Sequence, residues 1–101
     1  MAAYLIVMRE GALLDENAMT EYQRRTRQLA SKIPLRPLAL YGELVPLEGM
    51  APDAALVLEF GSVEDAKAWY DAPDYQVALQ YRLKSAEFRS FILSGLQGKT
   101  S

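Results

Sequence analysis

The chain has no cysteine and no histidine. Without cysteine there is no disulfide, no thiolate metal ligand and no cysteine nucleophile. Without histidine it lacks the side chain that most often moves protons at neutral pH, so a zinc site or a haem held by a proximal histidine is not expected. The sequence therefore predicts no metal and no cofactor, and leaves Asp, Glu, Tyr, Lys and Arg as the available acids and bases. Positive charge is not in excess either: 11 Lys and Arg against 13 Asp and Glu give a net charge of −2. Such a balance supplies no pull toward phosphate backbones, and nucleic acid is not an expected partner. No apolar run approaches the roughly 18 residues of a membrane span, and no basic start precedes a short apolar block as in a secretory signal. The expectation is a cytoplasmic protein with no membrane partner.

What is present is the composition of a small globular domain. With 101 residues, half of them hydrophobic and about a quarter charged, the chain has enough apolar surface for one core, so a single domain over residues 1–101 is expected. Tyr4 to Met8 and Ala54 to Phe60 are apolar stretches rich in strand formers, and Phe88 to Leu93 closes the domain as a last strand. Asp15 is placed to cap a helix in which Met19, Tyr22, Thr26, Leu29 and Ile33 recur at helical spacing before Pro34. Ser62, with Asp65 three residues on, opens a second helix with Val63, Ala66, Trp69 and Tyr70 on one face, ending near Asp71. Pro73 starts a further helical turn carrying Tyr75, Ala78, Leu79, Arg82 and Leu83. In the proline-rich middle, Leu38–Tyr41 and Leu44–Leu47 predict an edge strand interrupted at Gly42 or Pro46. Gly98 to Ser101 reads as a frayed tail. The order β-α-β-β-α-β predicts an α+β, ferredoxin-like antiparallel sheet with the first and third strands central.

Both surfaces of that sheet are predicted to be dry. Tyr4, Ile6 and Met8 alternate with Leu5 and Val7, and Leu56, Leu58 and Phe60 with Ala55 and Val57. Leaving three or four such side chains in water would forgo about 1.5–3 kcal/mol each, a sum comparable to the about 5–15 kcal/mol that holds a small domain together. A twofold copy of the same sheet is the simplest cover, and a homodimer closing into a barrel with an interior cavity is expected.

The stretch LEFGSVEDAKAWYDAPDYQ, Leu58 to Gln76, resembles the family named domain of unknown function 1330, of the dimeric α/β-barrel superfamily. The shared features are Glu59-Phe60, Ser62, Trp69-Tyr70, Tyr75-Gln76 and Arg82, with Ala3-Tyr4-Leu5, Glu21-Tyr22 and Leu47-Glu48-Gly49 outside the stretch. The chain departs from the pattern in its middle, where Ile33-Pro34-Leu35-Arg36-Pro37 and Tyr41-Gly42-Glu43 stand in place of glycine pairs. The resemblance implies the ferredoxin-like fold and the dimer; the superfamily includes oxygenases, isomerases and small-molecule binding proteins.

Glu59 is the one acid inside an apolar strand, and a buried carboxylate there would have a raised pKa and act as a general base. The alternative is an ion pair with an arginine, Arg82 included, or a cap on the second helix. Arg82 offers a planar fork for a substrate carboxylate or a structural clamp. Trp69, Tyr70 and Tyr75 wall a ligand pocket or anchor their helices to the sheet; Tyr22 carries the same two readings, and Tyr41 a hydroxyl at the cavity's edge. Two functions follow as expectations: a cofactor-independent small-molecule enzyme in which Glu59, with Arg82 or a tyrosine, moves a proton, or a non-catalytic small-molecule binding or regulatory dimer. A pure assembly module would need no cavity.

Overall fold

Seven elements follow one another in the computed structural model, which describes residues 2–29 and 33–96: β1 (Ala3–Arg9), α1 (Glu16–Arg27), β2 (Leu35–Leu40), β3 (Ala54–Phe60), α2 (Val63–Asp71), α3 (Pro73–Ser85) and β4 (Phe88–Ser94). The strands form one antiparallel sheet in the order β2-β3-β1-β4, so the two most continuously apolar segments are central and the proline-bearing strand is at an edge. This is the ferredoxin-like α+β fold. The predicted tail lies outside the described residues.

Local chemistry sets the helix starts. Asp15 accepts from the Ala18 amide at 3.0 Å and Ser62 from the Asp65 amide at 3.0 Å, each satisfying a donor that the first turn leaves orphaned. Ser62→Ala is expected to lower stability by about 1 kcal/mol, read as a lower urea midpoint at unchanged slope.

The first helix and the second strand differ in extent from expectation. The first helix was expected to carry Leu29 and Ile33 on its face, but α1 ends at Arg27, because the Gln28 and Leu29 amides turn back to the Arg25 and Thr26 carbonyls at 3.1 and 3.3 Å and tighten the last turn. The second strand starts earlier and stops sooner than expected: it runs Leu35–Leu40 with a bulge around Leu38, and Leu44–Leu47 form no strand. The physical reason is Tyr41, whose φ of 55° turns the backbone out of the sheet after a final bond from its amide to the Ala55 carbonyl. Pro73 opens the third helix as expected, and within it Leu83 faces out while Ser85 is buried beside Arg82.

The helix-facing side of the sheet supplies Leu5, Val7, Leu56 and Phe60, packed with Ala66 of α2; Met19 and Tyr22 of α1 meet Tyr75, Ala78 and Leu79 of α3 in a second cluster. Among the described residues, no helix or strand lies upon the opposite face. Across its centre the register aligns Ala39, Val57, Ile6 and Phe91, one from each strand. Phe91 is 46% exposed and Leu93 beside it 52%. Ion pairs stand at two corners of this apolar field, Arg36 with Glu59 at 2.7 Å and Arg89 with Glu10 at 2.9 Å.

Candidate functional site

On the helix side, α1 packs against α3, and β2 lies at the sheet edge with its bulge. Between α1 and the β2-β3 edge is a cavity of about 410 Å³, walled by Leu40, Leu56, Leu58 and Trp69 with Tyr22 and Tyr41 among its lining. Trp69 reaches it because α2 opens directly after β3, and its ring packs on Phe60 at 5.6 Å between centroids and on Tyr75 at 4.3 Å.

Three tyrosines and an arginine sit behind and beside this cavity. The Tyr22 and Tyr75 hydroxyls are hydrogen-bonded at 2.9 Å, with their rings edge to face at 6.2 Å between centroids. Burial raises the Tyr22 phenol far above its ordinary value, the Tyr75 hydroxyl raises it further, and Arg82 pulls the other way. Burial also raises the Tyr41 phenol, again opposed by Arg82. Arg82 is 1% exposed; its guanidinium carbon lies 4.7 Å from the Phe88 ring centroid and 5.7 Å from that of Tyr22. Its Nε and Nη1 have no hydrogen-bond partner, and no carboxylate among the described residues pairs with it. Arg9, at the neighbouring end of β1, also has a buried Nε without a partner.

The raised phenols have a consequence for pH. A group whose folded pKa exceeds its unfolded value stabilises the fold fully below the unfolded value, here the ordinary 10.0 of tyrosine, and that contribution is lost as pH rises above it. Stability is therefore expected to fall above about pH 10 by up to about 1.4 kcal/mol per pH unit for one such group. Urea unfolding at stepped alkaline pH checks this, with Tyr22→Phe giving the shallower decline.

The structure brings Tyr22, Tyr41 and Trp69 to one cavity, with Tyr75 and Arg82 directly behind. Tyr70 packs on Tyr75 at 5.5 Å between centroids, and its carbonyl accepts from Gln76 Nε2 at 2.6 Å; it is not in the cavity wall. Glu59 is elsewhere. Its register alternates with Leu58 and Phe60, so it lies on the open face of the sheet, 23% exposed and paired with Arg36. The burial that the general-base expectation required is missing, and Arg82, on the helix side, is not its partner. Sequence reasoning missed Arg36 because β2 was expected to begin after it, and missed Arg9 because a strand-end arginine carries no periodic signal. With Arg36 and Gly61, Glu59 lines an open groove of about 480 Å³. The basic run of α1 is a solvated face, since Arg24 and Arg25 both pair with Glu21.

Comparison with known proteins agrees with this architecture. A crystal structure of a dimeric protein of unknown function and ferredoxin-like fold from Bacteroides fragilis is similar to the chain at 19% identity, covering 93% of this chain and 96% of that one with a TM-score of 0.60. A protein of the ethyl tert-butyl ether D family from Bacillus halodurans is similar at 14% identity over 95% of this chain and 100% of that one, TM-score 0.62. A putative antibiotic biosynthesis monooxygenase from Chloroflexus aurantiacus is similar at 21% identity over 99% and 98%, TM-score 0.52. No curated protein matches the chain. The model of the family described as Domain of unknown function (DUF1330) matches residues 2–96, and the chain belongs to that family.

Proposed function

For this member of the family, we propose a homodimer, open sheet face against open sheet face, that binds a small molecule in the cavity between the sheet and α1 of each protomer. The observation that carries the binding role is the cavity itself: apolar walls from Leu40, Leu56, Leu58 and Trp69, with phenols from Tyr22 and Tyr41 among them, are the composition of a small-molecule site. The dimer is supported by the apolar row Ala39, Val57, Ile6 and Phe91 with ion pairs at its corners, which is the anatomy of a subunit interface. The segment between β2 and β3 adds to this support, since Leu47 at 91% and Met50 at 97% exposure project apolar surface that a partner would cover. The dimeric similar protein is a third support.

Binding without catalysis is favoured over proton transfer because Glu59 is held by Arg36 on the other face of the sheet from Arg82 and the cavity tyrosines. Native mass spectrometry of freshly purified protein tests the proposal. The expected spectrum has two chains with bound small molecule; a bare single chain would overturn it.

A further inference from the structure

We infer that the molecule held in this cavity is an anion, a monocarboxylate on an apolar body, whose charge compensates Arg82. The inference rests on the binding role proposed above and gives its ligand a chemical class. It begins with a cation in the wrong place. Arg82 is buried on α3 between Tyr22 and Phe88, with two guanidinium nitrogens lacking acceptors and no carboxylate paired to it among the described residues. A buried charge without a counter-ion is strongly destabilising, and a methionine or leucine would fill the same space without that cost. An anion supplied from outside the chain removes the imbalance.

The groups between Arg82 and the cavity are suited to receive one. The hydrogen bond joining the Tyr22 and Tyr75 hydroxyls uses one of their two protons, so one phenolic O–H remains to donate. Tyr41 brings another phenol to the same cavity, on a backbone at φ 55°, a conformation uncommon for a bulky residue and one that sets its ring against the cavity instead of along the strand. A phenol ordinarily ionises only near pH 10, and burial raises Tyr22 and Tyr41 further, so both are protonated donors through the neutral range. Among the described residues no Asp or Glu lines the cavity to repel an anion, and the charged residue that lines it is Arg27. A carboxylate would accept from the phenols with the guanidinium charge one ring behind, at low local dielectric where that charge acts strongly. The leucines and Trp69 would hold the apolar remainder. One deeply buried cation favours a single negative charge over two.

Titration calorimetry of the whole chain at about pH 7, where a carboxylic acid is ionised, tests this with cinnamate, 4-phenylbutyrate and octanoate, each beside its primary amide. At least one acid is expected to bind about tenfold or more tightly than its amide. Arg82→Met is expected to bring that ratio to within about twofold while the amide binds as before, and to leave the ligand-free protein at least as stable. Tyr41→Phe, at a half-exposed position where the fold is not at risk, should weaken the acid by about tenfold and the amide by less, and serves if Arg82→Met does not fold. Acid and amide binding equally well to the unmodified protein would overturn the anion while leaving the cavity role intact. Binding of neither acids nor amides would overturn both.

Discussion

Val57→Asp is expected to convert the proposed dimer to a folded monomer. Val57 stands in a central strand at the middle of the open face, directly opposite Ile6 and flanked by Ala39. In a lone protomer an aspartate there meets water, so the fold survives. In the stacked dimer, twofold symmetry puts two such carboxylates into an apolar interface, and an uncompensated buried charge costs about 3–5 kcal/mol. The dissociation constant should rise by a factor on the order of 10⁴. Size-exclusion chromatography with light scattering at micromolar concentration reads the change. Val77→Asp, on the exposed side of α3, is the control that should stay dimeric.

Phe60→Ala is expected to remove about 3–5 kcal/mol of stability. Phe60 is almost fully buried at the end of β3, where it packs against Trp69 of α2. It is one of the contacts that hold α2 on the sheet, and it backs Trp69 in the wall of the cavity. Truncation leaves a hole that the surrounding rings fill only in part, against a total stability of about 5–15 kcal/mol for a domain of this size. Urea unfolding of the variant measures the loss; a value under about 1 kcal/mol would mean that the wall is held from elsewhere.

Most of the fold was legible because the signals are local. Apolar runs identified β1 and β3 as central strands, Ser62 with Asp65 marked the start of α2, and the prolines between Pro34 and Pro52 put β2 at an edge. The open face was legible too, since alternation alone puts Ile6 and Val57 on the side away from Leu5 and Leu56. The failures have a common cause, which is that non-local or unusual backbone decides them. Nothing in a tyrosine announces the left-handed turn at Tyr41 that ends β2. The pairing of Glu59 with Arg36 follows only from the register of β2 on β3, so the carboxylate that looked buried by its neighbours is instead an ion-paired corner of the open face. The helical spacing of Tyr75, Ala78, Leu79 and Arg82 put Arg82 on the buried face, but only the packed structure shows that no acid comes to meet it. That juxtaposition of Arg82 with Tyr22, Tyr41 and the cavity is what turns a list of aromatic candidates into a site.

The cavity and the proposed subunit interface lie on opposite sides of one sheet whose two surfaces are both apolar, and everything proposed for the open side depends on what covers it. Sedimentation velocity of the unmodified protein over a concentration series decides this most directly. Covering by a second copy predicts a single boundary at twice the chain mass down to micromolar concentration; a boundary at the mass of one chain across the series would contradict it.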